Sequence, residues 1–228
     1  MIHYNLNFIL LILSLFCLTA CTSNDGTPKE IKTVEIIKGR NFLEGGTLTS
    51  RLPIYRAKVP LDWIRYDCLP SESLSDTTKP LCTFHILDKE TKDSIRITIH
   101  NFPSEKIEHR IPVKEQINRW LNQFETISSQ GSVTCQESFN GFIGMYLSTA
   151  GSQPKAPDLS VLGWALQLPK DHYHALTPHP SDETSKAKYL QMRADVTIKA
   201  QGTSWLMQRH QEAIEAFARS FELIDEIP

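Results

Sequence analysis

Along most of this chain, hydrophobic side chains recur at every second position. Ile95, Ile97 and Ile99 alternate with Arg96, Thr98 and His100 in a segment from Ser94 to Phe102, which pairs as a hairpin with Thr83 to Leu87 around Asp88-Lys89-Glu90-Thr91-Lys92. Leu162, Trp164, Leu166 and Leu168 share one face of another predicted strand. Leu190, Met192, Ala194, Val196, Ile198 and Ala200 share a face of a third, opposite Gln191, Arg193, Asp195, Thr197 and Lys199. Gly131 to Ser138 and Phe142 to Ala150 form two further strands turned at Asn140-Gly141, a dipeptide suited to the φ > 0 positions of a tight hairpin. Val34 to Ile37 and Ile54 to Val59, the latter ending at Pro60, complete the strand set. Such alternation implies an antiparallel sheet with one packed face and one polar face.

In two places the period changes to that of a helix. Val113, Ile117, Trp120, Leu121, Phe124 and Ile127 form an apolar stripe over 112–127, with Pro112 suited to the first turn. The second helix runs over 203–221 from a Thr203 cap, with Leu206, Ala213, Ile214, Phe217, Ala218 and Phe221 inward. The order of strands, helix, four strands and helix predicts an α+β fold, an antiparallel sheet of about six to eight strands with two packed helices. One globular domain is expected over 51–228, preceded over 21–50 by a polar tether with a short N-terminal strand.

Ala57-Lys58-Val59-Pro60-Leu61-Asp62-Trp63, a strand running into Pro-x-x-Trp, and the closing Ala216-Phe217-Ala218-Arg219-Ser220-Phe221 together resemble the PsbP-like fold. That resemblance covers about residues 51–224. It implies an antiparallel sheet between helical layers and a role in binding or assembly, with no shared catalytic residues. The polar sheet face departs from a sheet covered on both sides.

The N-terminus carries a different signal. Leu6 to Leu18 is apolar except for Asn7 and Ser14, a length suited to a secretory h-region and too short to span a bilayer. It closes in Leu18-Thr19-Ala20-Cys21, which resembles the lipobox of bacterial lipoproteins, although the segment before the run has His3 and no Lys or Arg. The resemblance implies cleavage between Ala20 and Cys21, removal of residues 1–20, and acyl chains on Cys21 that hold the protein to the lipid bilayer of a cell envelope. Inner membrane, outer membrane and outer surface are all compatible with it.

Charge and cysteine content narrow the classes further. All 24 Lys and Arg and all 26 Asp and Glu lie after residue 20, so the body is near neutral and lacks the basic surface that nucleic acid requires. Once Cys17 leaves with the signal and Cys21 is acylated, Cys68, Cys82 and Cys135 remain. Cys68 and Cys82 bracket a Pro-, Ser- and Asp-rich loop and are either bridged or buried thiols; an envelope location permits the bridge. Cys135, alternating with Val133, reads as a core residue.

Signals for chemistry are sparse. Asp171-His172-Tyr173-His174 and His179 place three imidazoles in one polar loop, 169–185, where they are zinc-ligand candidates or solvated loop residues. Ser185-Lys186-Ala187-Lys188 matches Ser-x-x-Lys without the Ser-Asp-Asn and Lys-Thr-Gly that accompany it in penicillin-binding enzymes, and no phosphate-binding or dinucleotide motif is present. No cofactor is expected. The polar sheet face, with Arg96, His100, Arg193, Asp195 and Lys199, is a solvated surface or a platform for an envelope protein or a small ligand. The expected function is a membrane-anchored, non-catalytic binding or assembly module; the alternative is a metal-dependent hydrolase or metal-binding protein using His172, His174 and His179.

Overall fold

Period-two alternation becomes strand throughout the segments described. The computed structural model describes residues 31–38, 53–67, 78–102, 107–169 and 195–223. In chain order these form β1 (Ile31–Lys38), β2 (Pro53–Pro60), β3 (Ile64–Asp67), β4 (Cys82–Leu87), β5 (Ser94–Phe102), a 3-10 turn (Ile107–His109), α1 (Val113–Leu121), β6 (Thr126–Phe139), β7 (Phe142–Gln153), β8 (Ala156–Gln167), β9 (Asp195–Gly202), α2 (Ser204–Arg219) and β10 (Glu222–Leu223). Seven strands pair in the order β3-β4-β5-β9-β8-β7-β6, and β1, β2 and β10 form a second, three-stranded sheet. Neighbouring strands run antiparallel throughout both sheets. The chain is therefore α+β. Ile31–Pro228 is one compact unit; the other, Met1–Glu30, lies outside the described residues, and with it the predicted cleavage and acylation site at Ala20 and Cys21.

The core lies between the main sheet and α2. Ile95, Ile97, Ile99, Trp164, Val196, Ile198, Ala200, Leu206, Ile214 and Phe221 are fully buried there, with Phe217 nearly so. The two motifs that resemble the PsbP-like fold meet in this core. Lys58 N–H donates to Ser220 Oγ at 2.8 Å, and Ser220 Oγ donates to Phe217 O at 2.7 Å. The Trp63 ring meets Phe217 edge-on at 5.3 Å, and Tyr55 stacks on Phe221 at 5.0 Å. The Pro-x-x-Trp turn, closed by Trp63 N–H to Pro60 O at 3.2 Å, thus delivers an aromatic anchor to the end of α2.

Local chemistry explains the turns. At Asn140 and Gly141 φ is 48° and 83°, the left-handed pair that an Asn-Gly hairpin provides, and Asn140 Nδ2 donates to Arg219 O at 2.9 Å. In the β4–β5 turn Asp88 Oδ1 accepts from the Glu90 and Thr91 N–H groups at 2.9 and 2.8 Å. Thr203 occupies the N-cap of α2, but its hydroxyl makes no capping bond; Asp158 instead accepts from Ser204 N–H and Oγ.

Three expectations need correction. The first helix ends at Leu121 instead of running to 127: Asn122 caps it, Glu125 N–H bonds to Ser152 O, and the β-branched pair Thr126-Ile127 enters β6. Ile127 consequently leaves the stripe and is 45% exposed. Cys135 is exposed, and Val133 beside it is 59% exposed, because β6 is the outermost strand of its sheet and almost unburied along its length. The polar sheet face is also not simply solvated. Ile117 and Trp120 of α1 pack on Leu147 and Ala165, forming a second, smaller apolar cluster on the side away from α2.

Candidate functional site

Arg96, Thr98 and His100 project from β5 to the face opposite the buried Ile95, Ile97 and Ile99. Antiparallel pairing sets Thr98 beside Lys199, His100 beside Thr197 and Arg96 beside Gln201 of β9. On β8 the register continues through Gly163 beside Lys199 and Ala165 beside Thr197. This face has two halves. Over β7 and β8 it is apolar and takes α1; over β4, β5 and β9 it is polar, and the short helix does not reach across it.

The seat of α1 depends on one glycine. A Cβ at Gly163 would lie 2.4 Å from Cζ3 of Trp120, so only glycine lets the indole settle on β8. Along the edge of α1 and just past its end, Gln116, Arg119, Trp120 and Gln123 stand over the polar half as a wall. Floor and wall enclose a cavity of about 530 Å³, within the usual range of ligand sites. Arg96, Arg119, Lys199 and His100 all line it, and among the described residues no Asp or Glu does.

Electrostatics follow from this crowding. Burial, and secondarily the nearby Arg96 charge, bring Lys199 down from 10.5 to about 8. Its Nζ donates to Gln123 Oε1 at 2.6 Å, a neutral acceptor that does not offset the charge. His85, paired with Arg96 on β4, is also lowered, first by burial and then by Arg96. Gln116, 7% exposed, has no hydrogen-bond partner at Oε1. The cavity therefore gathers positive charge, an arrangement suited to holding an anionic group, and among the described residues no carboxylate lines it.

Of the sequence candidates, Arg96, His100 and Lys199 come together here. Asp195 does not: it is 6% exposed, and both carboxylate oxygens accept from Arg110, Nε to Oδ2 at 2.7 Å and Nη2 to Oδ1 at 2.5 Å. Oδ1 also accepts from Leu168 N–H at 3.1 Å. Burial pushes its carboxyl up against the pull of Arg110. This pair fastens the 3-10 turn region to β8 and β9 and removes Asp195 from the candidate binding surface. Arg193, Cys68, Ser185, Lys188, His172, His174 and His179 lie outside the described residues, and Cys82 is buried. Among the described residues no group of three His, Cys, Asp or Glu is placed to hold a metal, and no helix is long and apolar enough to cross a membrane.

Sequence reasoning missed Gln116, Arg119 and Gln123. A signal existed, because they follow one another at i, i+3 and i+7 along the flank of the apolar stripe. Arg110 gave none, being 85 residues from its partner.

Three solved structures are similar to this chain. The cyanobacterial PsbP of Synechocystis aligns over 81% of this chain and 98% of its own, at 13% identity and a TM-score of 0.41. LpqN of Mycobacterium tuberculosis, described as involved in cell envelope biogenesis, aligns over 87% and 91% at 12% identity and 0.43. The Ran-binding protein Mog1p of Saccharomyces cerevisiae aligns over 86% and 97% at 13% identity and 0.35. No protein-family model and no curated protein matches the sequence.

Proposed function

We propose that this protein is a lipid-anchored component of a bacterial cell envelope whose α+β domain is a non-catalytic binding module, with the cavity under α1 as its recognition site. The observation that carries this reading is the cavity itself: three permanent or potential cations and a histidine converge on it, with no carboxylate among the described residues that line it. Binding there needs complementarity of charge and shape and no reacting group. The lipobox at Leu18 to Cys21 supports the anchor. Acyl chains on Cys21 and a polar tether would concentrate the domain near partners in the same membrane, raising effective affinity without new contacts.

The test is photocrosslinking in intact cells from a benzophenone side chain at Gln201, on the cavity, and at Glu212, exposed on α2 across the opposite face of the sheet. A discrete adduct from Gln201 alone is expected. Identical adducts from both positions, or none from either, would refute recognition through the cavity. Replacing Cys21 by serine should move the protein from the membrane to the soluble fraction; continued membrane association would refute lipid anchoring.

A further inference from the structure

We infer that β6 is a docking edge for an uncharged, extended segment of a partner polypeptide, which pairs with its outer side and places one neutral side chain in a second cavity beside α2. Phe139 and Phe142 flank the two-residue Asn140-Gly141 turn and stand opposite each other, so they exchange both ladder bonds. From Ser132 to Phe139 the register with β7 runs without a shift, and backbone groups therefore alternate in direction. The N–H and C=O groups of Ser132, Thr134, Gln136 and Ser138 point away from β7, where the described residues provide no further strand. Natural sheets guard such edges with Lys, Pro or a bulge. Thr126–Phe139 contains no Lys, Arg or Pro. Its one charged side chain, Glu137, is turned back into the fold, accepting from Trp164 Nε1 at 2.9 Å and Arg219 Nη2 at 2.8 Å. The break in register between Ile127 and Ser132 stops short of the regular stretch and leaves it unguarded.

The cavity beside this edge is an independent observation. Val133, Ser148 and Leu162 are paired neighbours across β6, β7 and β8 and share the face that carries α2. Because α2 packs over β8 and β9, its flank at Met207, Gln208 and Gln211 leaves a space of about 300 Å³ above those three residues. Val133, 59% exposed, stands where this space meets the edge. Among the described residues no charged side chain lines it. Strand addition takes its affinity from main-chain hydrogen bonds and its selectivity from pockets that receive alternate side chains, and β6 supplies both parts side by side. A charged side chain entering the pocket would lose water without gaining a counter-charge, so the occupant is neutral there. This site differs in face, charge and residues from the cavity under α1 and does not depend on it.

The experiment is an NMR titration of the full chain with the peptide acetyl-Thr-Val-Thr-Leu-Thr-Val-Thr-amide and with analogues whose central leucine is glycine or lysine. Saturable shifts and slowed hydrogen exchange are expected at the N–H groups of Thr134 and Gln136, with no added protection at Cys135 and Glu137, whose N–H groups already face β7. The lysine analogue should bind about tenfold more weakly than the leucine peptide. Thr134→Pro removes an outward N–H that β7 does not use and should abolish binding. Gln208→Trp, at an exposed position on the rim of the cavity, should weaken the leucine peptide by about tenfold and leave the glycine analogue unaffected. No saturable shift, shifts confined to the cavity under α1, equal binding of all three peptides, or indifference to both variants would overturn the inference. Concentration-dependent shifts of the same N–H groups without peptide would assign the edge to a second copy of this chain and overturn a foreign occupant.

Discussion

Replacing Lys199 by methionine should stabilise the protein at neutral pH and abolish a rise in stability that the native chain shows in mild alkali. The native amine titrates at about 8 because burial and then Arg96 oppose its charge, whereas in the unfolded chain it holds its proton up to the ordinary 10.5. Between those values the unfolded state binds more protons than the folded one, so stability increases with pH. The limiting slope is about 1.4 kcal/mol per pH unit. From about pH 7.5 to 9.5 the gain is roughly 2 kcal/mol, below the limit because the folded amine still holds most of its proton at the lower end. At neutral pH the native chain carries the full penalty, about 3 kcal/mol. Methionine removes that penalty and the hydrogen bond to Gln123, the latter worth about 1 kcal/mol. A net stabilisation of roughly 2 kcal/mol remains. Urea unfolding of both proteins at the two pH values measures each quantity, and the difference between the two proteins isolates Lys199. Equal pH dependence in the two proteins would refute the assignment of a depressed pKa to Lys199.

Other consequences are as direct. Arg110→Ala leaves Asp195 buried with one backbone donor, and should cost about 3 to 5 kcal/mol in urea unfolding; a loss below about 1 kcal/mol would show that water reaches the pair. Gly163→Ala drives a methyl group into the Trp120 ring and should cost about 1 to 3 kcal/mol, with altered tryptophan emission as α1 lifts. Unchanged emission and stability would contradict that seat for the helix. Cys135, exposed on the edge strand, should react with a thiol reagent in the native protein, and Cys135→Ser should remove that fast phase; a fast phase that persists in the variant would contradict its exposure.

Period-two patterning was sufficient for β5, for the inward faces of β8 and β9, and for the Asn140-Gly141 hairpin, because each is decided by alternation or by a backbone angle few residues adopt. It misplaced Cys135, since alternation says which residues share a face but not whether anything covers it. The first helix was overextended for a related reason. Phe124 and Ile127 continue the helical spacing, yet Glu125 N–H finds Ser152 O, and the chain pairs with β7 from Thr126 onward. Arg96, His100 and Lys199 were recognisable as polar members of strands, whereas Asp195 looked identical in the sequence and is occupied by Arg110 in the fold.

Sequence alone determined the α+β class and the strand and helix faces, because these depend on spacing of a few residues along the chain. Tertiary structure decided that β5 and β9 are neighbours, that Gly163 admits Trp120, and that α1 stops short of the polar strands and leaves a cavity beside them. Those features arise where segments a hundred residues apart meet, as Thr98 meets Lys199. Short-range periodicity carries no information about that distance, and only packing fixes which charges become neighbours.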